Sequence, residues 1–243
     1  MDPLVDQRSF VAYGPSHWAV LILLTAVAVV LAWLGHRYGG TRTALVVGRI
    51  LAVVLVIVHV PILIYDLSPA RFDIQHSLPF HISDLTWMTA AYGLWFRRQW
   101  AFALTYYWGL TLVPQAIITP TLTGPDFPSF DFISFWGRYV LVVWAVVYLT
   151  WWVGMRPNWG SFAFAAAVTV GWGLLVLSFN AAAGTNYMFL NGKPDNPSLL
   201  DIMGEWPWYL GVALAIGLVA WALLTWPWTR HQDKNGDRTA TRQ

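Results

Sequence analysis

Seven nearly unbroken apolar runs mark the chain, at about residues 16–35, 44–64, 79–96, 100–120, 131–153, 160–183 and 206–226. Each approaches the roughly 20 residues that an α-helix needs to cross a hydrocarbon core. The third run is the shortest and the most polar. Short connections separate the runs, with longer ones at 65–78, 121–130 and 184–205. From Thr229 to Gln243 the chain turns polar and reads as a disordered cytoplasmic tail. No repeat of fixed period is present. The pattern predicts an all-α fold, a polytopic bundle of seven transmembrane helices forming one domain over residues 1–228, with the tail at 229–243.

Composition agrees with that pattern. Of 243 residues 57% are hydrophobic and only 11% charged, against roughly 25% charged in an average soluble domain. So little charge cannot cover a globular surface in water, and the rest of the surface must face lipid. A soluble enzyme and a sizeable extramembrane domain are both excluded. The net charge is +2 and the basic residues are scattered, which excludes nucleic acid as a partner; membrane lipids are the expected one. Cysteine is absent, so there is no disulfide, no thiolate metal ligand and no cysteine nucleophile. The start, Met1-Asp2-Pro3-Leu4-Val5-Asp6, is acidic, and the first apolar run begins only near His17. A secretory signal would open on basic residues, so the first run is read as a retained helix.

Lys and Arg near the run ends set the orientation. One side gathers Arg37, Arg42, Arg97, Arg98, Arg156, Arg230, Lys234, Arg238 and Arg242; the other has Arg8, Arg71 and Lys193. Nine against three predicts a cytoplasmic C-terminus and, for seven crossings, an outside N-terminus. Tryptophans flank several run ends, among them Trp95, Trp100, Trp206, Trp208, Trp226 and Trp228, where amphipathic rings favour the headgroup level.

Ionisable side chains inside a span cost about 2.5–3.5 kcal/mol on insertion scales, so each needs a partner or a purpose. His59 and Asp66 end the second run, and His81 and Asp84 open the third. Gln115 and Thr119 follow Pro114 in the fourth. Arg138 lies about two turns into the fifth, and Asn180 closes the sixth, followed by Asn186 and Tyr187. All fall at the outer ends of their runs, which predicts a polar cavity in the outer leaflet. His17 and His36 lie at run boundaries and are expected to reach water.

His81 and Asp84 stand three apart and share a helix face, so the carboxylate either orients the imidazole or pairs with Arg138. Two readings of the cluster stay open. In one it is a site for a lipid headgroup or acyl ester, with His81 as general base and Asp84 as its catalytic partner. In the other it is a hydrogen-bonded plug that holds the helices together. No cofactor and no metal is expected. His59, His81, Asp84 and Asp66 would be the metal ligands, but the two histidines sit on different helices and no His-Glu-x-x-His occurs. Around Ser83 and Thr86 no Gly-x-Ser-x-Gly turn occurs either. In the loop 184–208 the segment Asn186–Leu190 is apolar enough to lie along the membrane surface, as a lid or as a docking surface.

Several segments resemble the YwaF-like family of bacterial integral membrane proteins. Leu78-Pro79-Phe80-His81-Ile82-Ser83-Asp84-Leu85 looks like its Leu-Pro-x-His-x-x-Asp-Leu segment. Tyr107-Trp108-Gly109, Gln115–Pro120, Gly184–Leu190 and the stretch from Lys193 to Asp201, continuing to Trp206–Tyr209, are similar too. The resemblance implies a seven-helix bundle in the bacterial cytoplasmic (inner) membrane. Distant animal relatives move fatty acyl chains between phospholipids, with a cysteine and a histidine implicated. This chain departs from that pattern, with Phe80 where that cysteine would stand and Gly137-Arg138 where family members carry a histidine. The expected function is therefore a non-catalytic accessory subunit of a larger membrane protein complex that transports lipids. A membrane-embedded acyltransferase or hydrolase using His81 and Asp84 is the alternative. A carrier or channel ranks lowest, because no inverted repeat appears.

Overall fold

The computed structural model describes residues 9–39, 41–118, 120, 122, 124–194 and 198–240, the last ten of these by backbone only. All regular structure among them is helical: α1 (Pro15–Tyr38), α2 (Arg42–Asp66), α3 (Ile82–Phe96), α4 (Gln99–Ile118), α5 (Phe130–Val147), α6 (Trp159–Ala183) and α7 (Trp208–Ala240). A π-helical turn, Tyr148–Trp152, continues α5, and two 3-10 turns, Tyr187–Phe189 and Leu199–Met203, lie between α6 and α7. Each apolar run thus became a helix. Six are long and apolar enough to cross a membrane. The exception is α3, whose 15 residues span about 22 Å, short of the roughly 30 Å core. It starts at Ile82, where the Asp84 carboxylate accepts from the His81 backbone N–H.

The chain packs as two compact units, Met1–Ile64 with Thr86–Met155, and Tyr65–Leu85 with Arg156–Gln243. In the first, α4 is the core: every residue from Ala101 to Gly109 is buried, as befits a helix that is apolar on all sides. Gly109 lets α5 approach closely, since a Cβ there would stand 2.8 Å from Val146 Cγ2. On α5 and its π turn, Trp144, Tyr148 and Trp152 recur every four residues and share a face. Trp144 Nε1–H donates to the Leu24 carbonyl at 3.1 Å and Trp152 Nε1–H to that of Leu31 at 2.6 Å, both on α1. The Tyr148 hydroxyl donates to the Ala44 carbonyl on α2. Gly35 makes this fit possible, because a Cβ there would meet Trp152 Cδ1 at 2.7 Å and the Trp151 carbonyl carbon at 2.8 Å.

In the second unit, α6 begins on Asn158, whose side chain accepts from the Ser161 N–H at 2.8 Å and satisfies a donor the first turn leaves open. It ends on Gly184 at φ 67°, the left-handed conformation that closes many helices. Helix α7 follows Pro207 and packs on α6. Arg156 lies over the Trp228 ring at 4.3 Å and Arg230 over Trp226 at 3.8 Å, so boundary tryptophans and arginines pair by cation–π contact.

Candidate functional site

The second unit holds His81, Asp84, Asn180, Asn186 and Tyr187 of the residues expected to carry chemistry. His81 directly precedes α3. Asp84 Oδ2 accepts from the His81 backbone N–H at 3.1 Å, and the Asp84 N–H returns to the His81 carbonyl at 2.9 Å. The carboxylate therefore closes the helix start, where negative charge suits the dipole. The His81 imidazole lies among rings, 5.7 Å from Tyr187 and 6.1 Å from Phe189. Burial lowers its pKa below the ordinary value, with His76 adding a smaller push in the same direction. The ring is thus neutral at pH 7.

Asn180 is fully buried and organises the turn that follows α6. Its Oδ1 accepts from the Thr185 hydroxyl at 2.7 Å and from the Tyr187 N–H at 3.0 Å, while Nδ2 donates to the Tyr187 carbonyl at 2.9 Å. These bonds turn Tyr187 inward, so it does not lie along a membrane surface as the apolar segment suggested. Its phenol donates to the Ile74 carbonyl at 2.7 Å and accepts from the Leu78 N–H at 3.0 Å. Burial raises the Tyr187 pKa, which keeps that donor protonated. Phe80 stands edge-on to Tyr187 at 5.2 Å and to Phe179 at 4.7 Å, and the Phe80 carbonyl accepts from Trp172 Nε1–H. The place where a family cysteine was expected is thus an aromatic packing position.

The loop after Tyr187 is pinned rather than free. Met188 and Phe189 both take positive φ, 57° and 55°, which costs about 1–2 kcal/mol per non-glycine residue. Tyr209 OH donates to the Phe189 carbonyl and Trp206 Nε1–H to that of Leu190. Asn186 Nδ2 donates to the Gly192 carbonyl and its Oδ1 accepts from the Asn191 N–H. Lys193 and Glu205 pair at 3.8 Å, and Ser198 with Asp201 forms a capping box.

The first unit holds His59, Gln115 and Arg138. His59 is buried; its Nδ1 lies 2.8 Å from the Leu55 carbonyl oxygen and its ring stacks on Trp87 at 4.9 Å. Arg138 borders a cavity of about 340 Å³ together with Gly124, Asp131, Ser134 and Tyr139, and its Nε is buried without a hydrogen-bond partner among the described residues. Gln115 is exposed on α4, and Thr119 lies outside the described residues. One residue of this unit escaped the sequence reading. His17 is fully buried, not at water: Nδ1 accepts from the Tyr13 N–H at 2.8 Å and Nε2 lies 3.0 Å from the Ile117 carbonyl oxygen. Phe10 and Trp136 pack on its ring. Its partners at 117 and 136 are about a hundred residues away, and no local pattern announces them.

No curated protein and no solved structure matches the chain. The model of the TMEM164 family matches residues 12–225, a span that runs from just before α1 into α7 and includes every residue of both clusters. With almost all of its described helices inside that match, the chain belongs to the TMEM164 family, a family of membrane proteins.

Proposed function

We propose that the chain is a non-catalytic subunit of a larger, lipid-transporting assembly in the bacterial cytoplasmic membrane. One observation carries this reading: the polar groups around His81 are used by the chain's own backbone. Asp84 caps α3, Asn180 holds the turn at Tyr187, and the Tyr187 phenol bridges Ile74 and Leu78. A cluster so engaged acts as the internal plug that polar side chains form between membrane helices. The absence of cysteine from the sequence and the aromatic packing of Phe80 add to it.

The test is purification from native expression levels in mild detergent, with phospholipid acyl exchange assayed on the product. Recovery in fixed stoichiometry with a lipid-transporting complex, unchanged by His81→Asn, is the expected result. Recovery alone, with an acyl-exchange activity that His81→Asn abolishes while the protein stays folded, would overturn it. That second outcome favours a lipid-modifying enzyme. What supports this alternative is the neutral His81 imidazole, the form able to take a proton.

The proposed topology has seven crossings, with α3 the shortest, an outside N-terminus and a cytoplasmic C-terminus. The nine-to-three distribution of basic residues supports it. A fluorescent protein fused after Gln243 should fold and fluoresce, whereas alkaline phosphatase at the same place should be inactive. Active phosphatase there would reverse the assignment.

A further inference from the structure

A groove between α2 and α3 in the first unit meets the residues described above at Trp87, on which His59 stacks. Ala52, Val53 and Val56 form one wall and Trp87, Ala91 and Trp95 the other, around about 450 Å³. Along α3 the lining runs from Trp87 to Phe96, about 14 Å at 1.5 Å per residue. The groove is open on its side, for Val53, Val56 and Trp95 are each more than 40% exposed.

One end of the groove is basic. Arg49 precedes Ala52 and Val53 by one turn, and its guanidinium lies 5.4 Å from the Trp95 ring. Arg97 and Arg98 follow directly on Phe96. Arg97 turns inward, with Nε and Nη2 buried and its guanidinium against the Tyr148 hydroxyl, so Arg49 and Arg98 are the exposed cations at this end. No Asp or Glu occurs between Arg42 and Tyr65 or between Leu85 and Pro125, so these elements supply no carboxylate of their own.

We propose that the groove binds one acyl chain of an anionic phospholipid whose phosphate rests on Arg49 and Arg98. An apolar slot open to the bilayer suits a hydrocarbon chain. Guanidinium N–H groups are matched in geometry and charge to phosphate oxygens. A zwitterionic headgroup would bring an ammonium towards two exposed arginines, and the repulsion selects against it. The site is independent of the role proposed for the His81 cluster.

The test uses the full chain in mild detergent and native mass spectrometry, with dioleoyl phosphatidylglycerol or dioleoyl phosphatidylcholine added at matched concentrations. The anionic lipid should be retained at a concentration at least about fivefold lower, as expected when each arginine near an anionic surface contributes about one such factor. Arg49→Gln with Arg98→Gln, both exposed positions, should erase that preference. Should the pair fail to purify, Arg98→Gln alone must lower it measurably. Val56→Trp, on an exposed wall of the groove, should weaken retention of both lipids. Equal retention of the two lipids by the unaltered chain would overturn the proposal. So would an unchanged preference in the arginine variants, or full displacement of the anionic lipid by glycerol phosphate, which has no chain to fill the groove.

Discussion

Replacing Asn180 by leucine should unfold the turn that closes α6 and lower stability by about 3–5 kcal/mol. The substitution keeps the branched shape, with somewhat more bulk, but removes the partners of three buried groups: the Thr185 hydroxyl, the Tyr187 N–H and the Tyr187 carbonyl. Each buried polar group left unpaired costs about 1–3 kcal/mol. The loss should spread, because Tyr187 then no longer holds Ile74 and Leu78. The positive φ of Met188 and Phe189 would then be held only from the far side of the loop, by the bonds from Tyr209 and Trp206. Thr185→Val removes a single bond and should cost about 1 kcal/mol. Thermal unfolding in detergent gives the ranking, and chymotryptic cleavage between Phe189 and Leu190 reports the loop directly. If the two variants unfold together with the unaltered chain, Asn180 is not the centre of this turn.

Gly35→Ala should cost about 3 kcal/mol, the upper part of the usual range for overpacking. The new methyl would overlap the backbone of Trp151 and Trp152 as well as the Trp152 ring, and a backbone cannot swing aside as a side-chain tip can. Relief requires α1 to shift away from the π turn, which stretches the bonds from Trp144 to Leu24 and from Trp152 to Leu31. Gly171→Ala is the matched control. It also lies within a helix, and its Cβ meets nothing within 4 Å, so it should be neutral or stabilising by about 0.5–1 kcal/mol. Measured side by side, the two should move the unfolding temperature in opposite directions or leave the control unmoved. A harmless Gly35→Ala would mean that α1 is not seated against the π turn.

The helices were legible in the sequence because burial in lipid demands the same apolar length whatever the neighbours are. Helix ends set by local chemistry, Gly184 and the Ser198–Asp201 box among them, depend on residues only a few positions apart. Less visible were features that depend on which particular group a side chain meets. The expected role of Asp84, to orient His81 or pair with Arg138, did not include the backbone N–H three residues earlier, from which the carboxylate accepts. Tyr187 reads as a surface residue from its apolar neighbours, and only the side chain of Asn180 turns it inward. His17 reads as a boundary residue, yet the carbonyl of Ile117 and the ring of Trp136 enclose it. Hydropathy assigns a residue to the membrane, but not to a partner.

The indole ladder that ties α5 to α1 also bears on how the chain is made. The carbonyl of Leu24 leaves the ribosome 120 residues before the indole of Trp144, a delay of about 6–24 s at ordinary synthesis rates. Through that interval α1 must wait in the bilayer without its partner. It is suited to wait, since even in the finished fold only His17 and Gly35 of its 24 residues are buried. By contrast, Asn180 meets Tyr187 within seven residues, and that turn can form as soon as it emerges. Biogenesis of the first unit therefore ends with the seating of its earliest helix on α5, and a chain stalled before α5 would hold α1 only near its start, where His17 meets the Ile117 carbonyl.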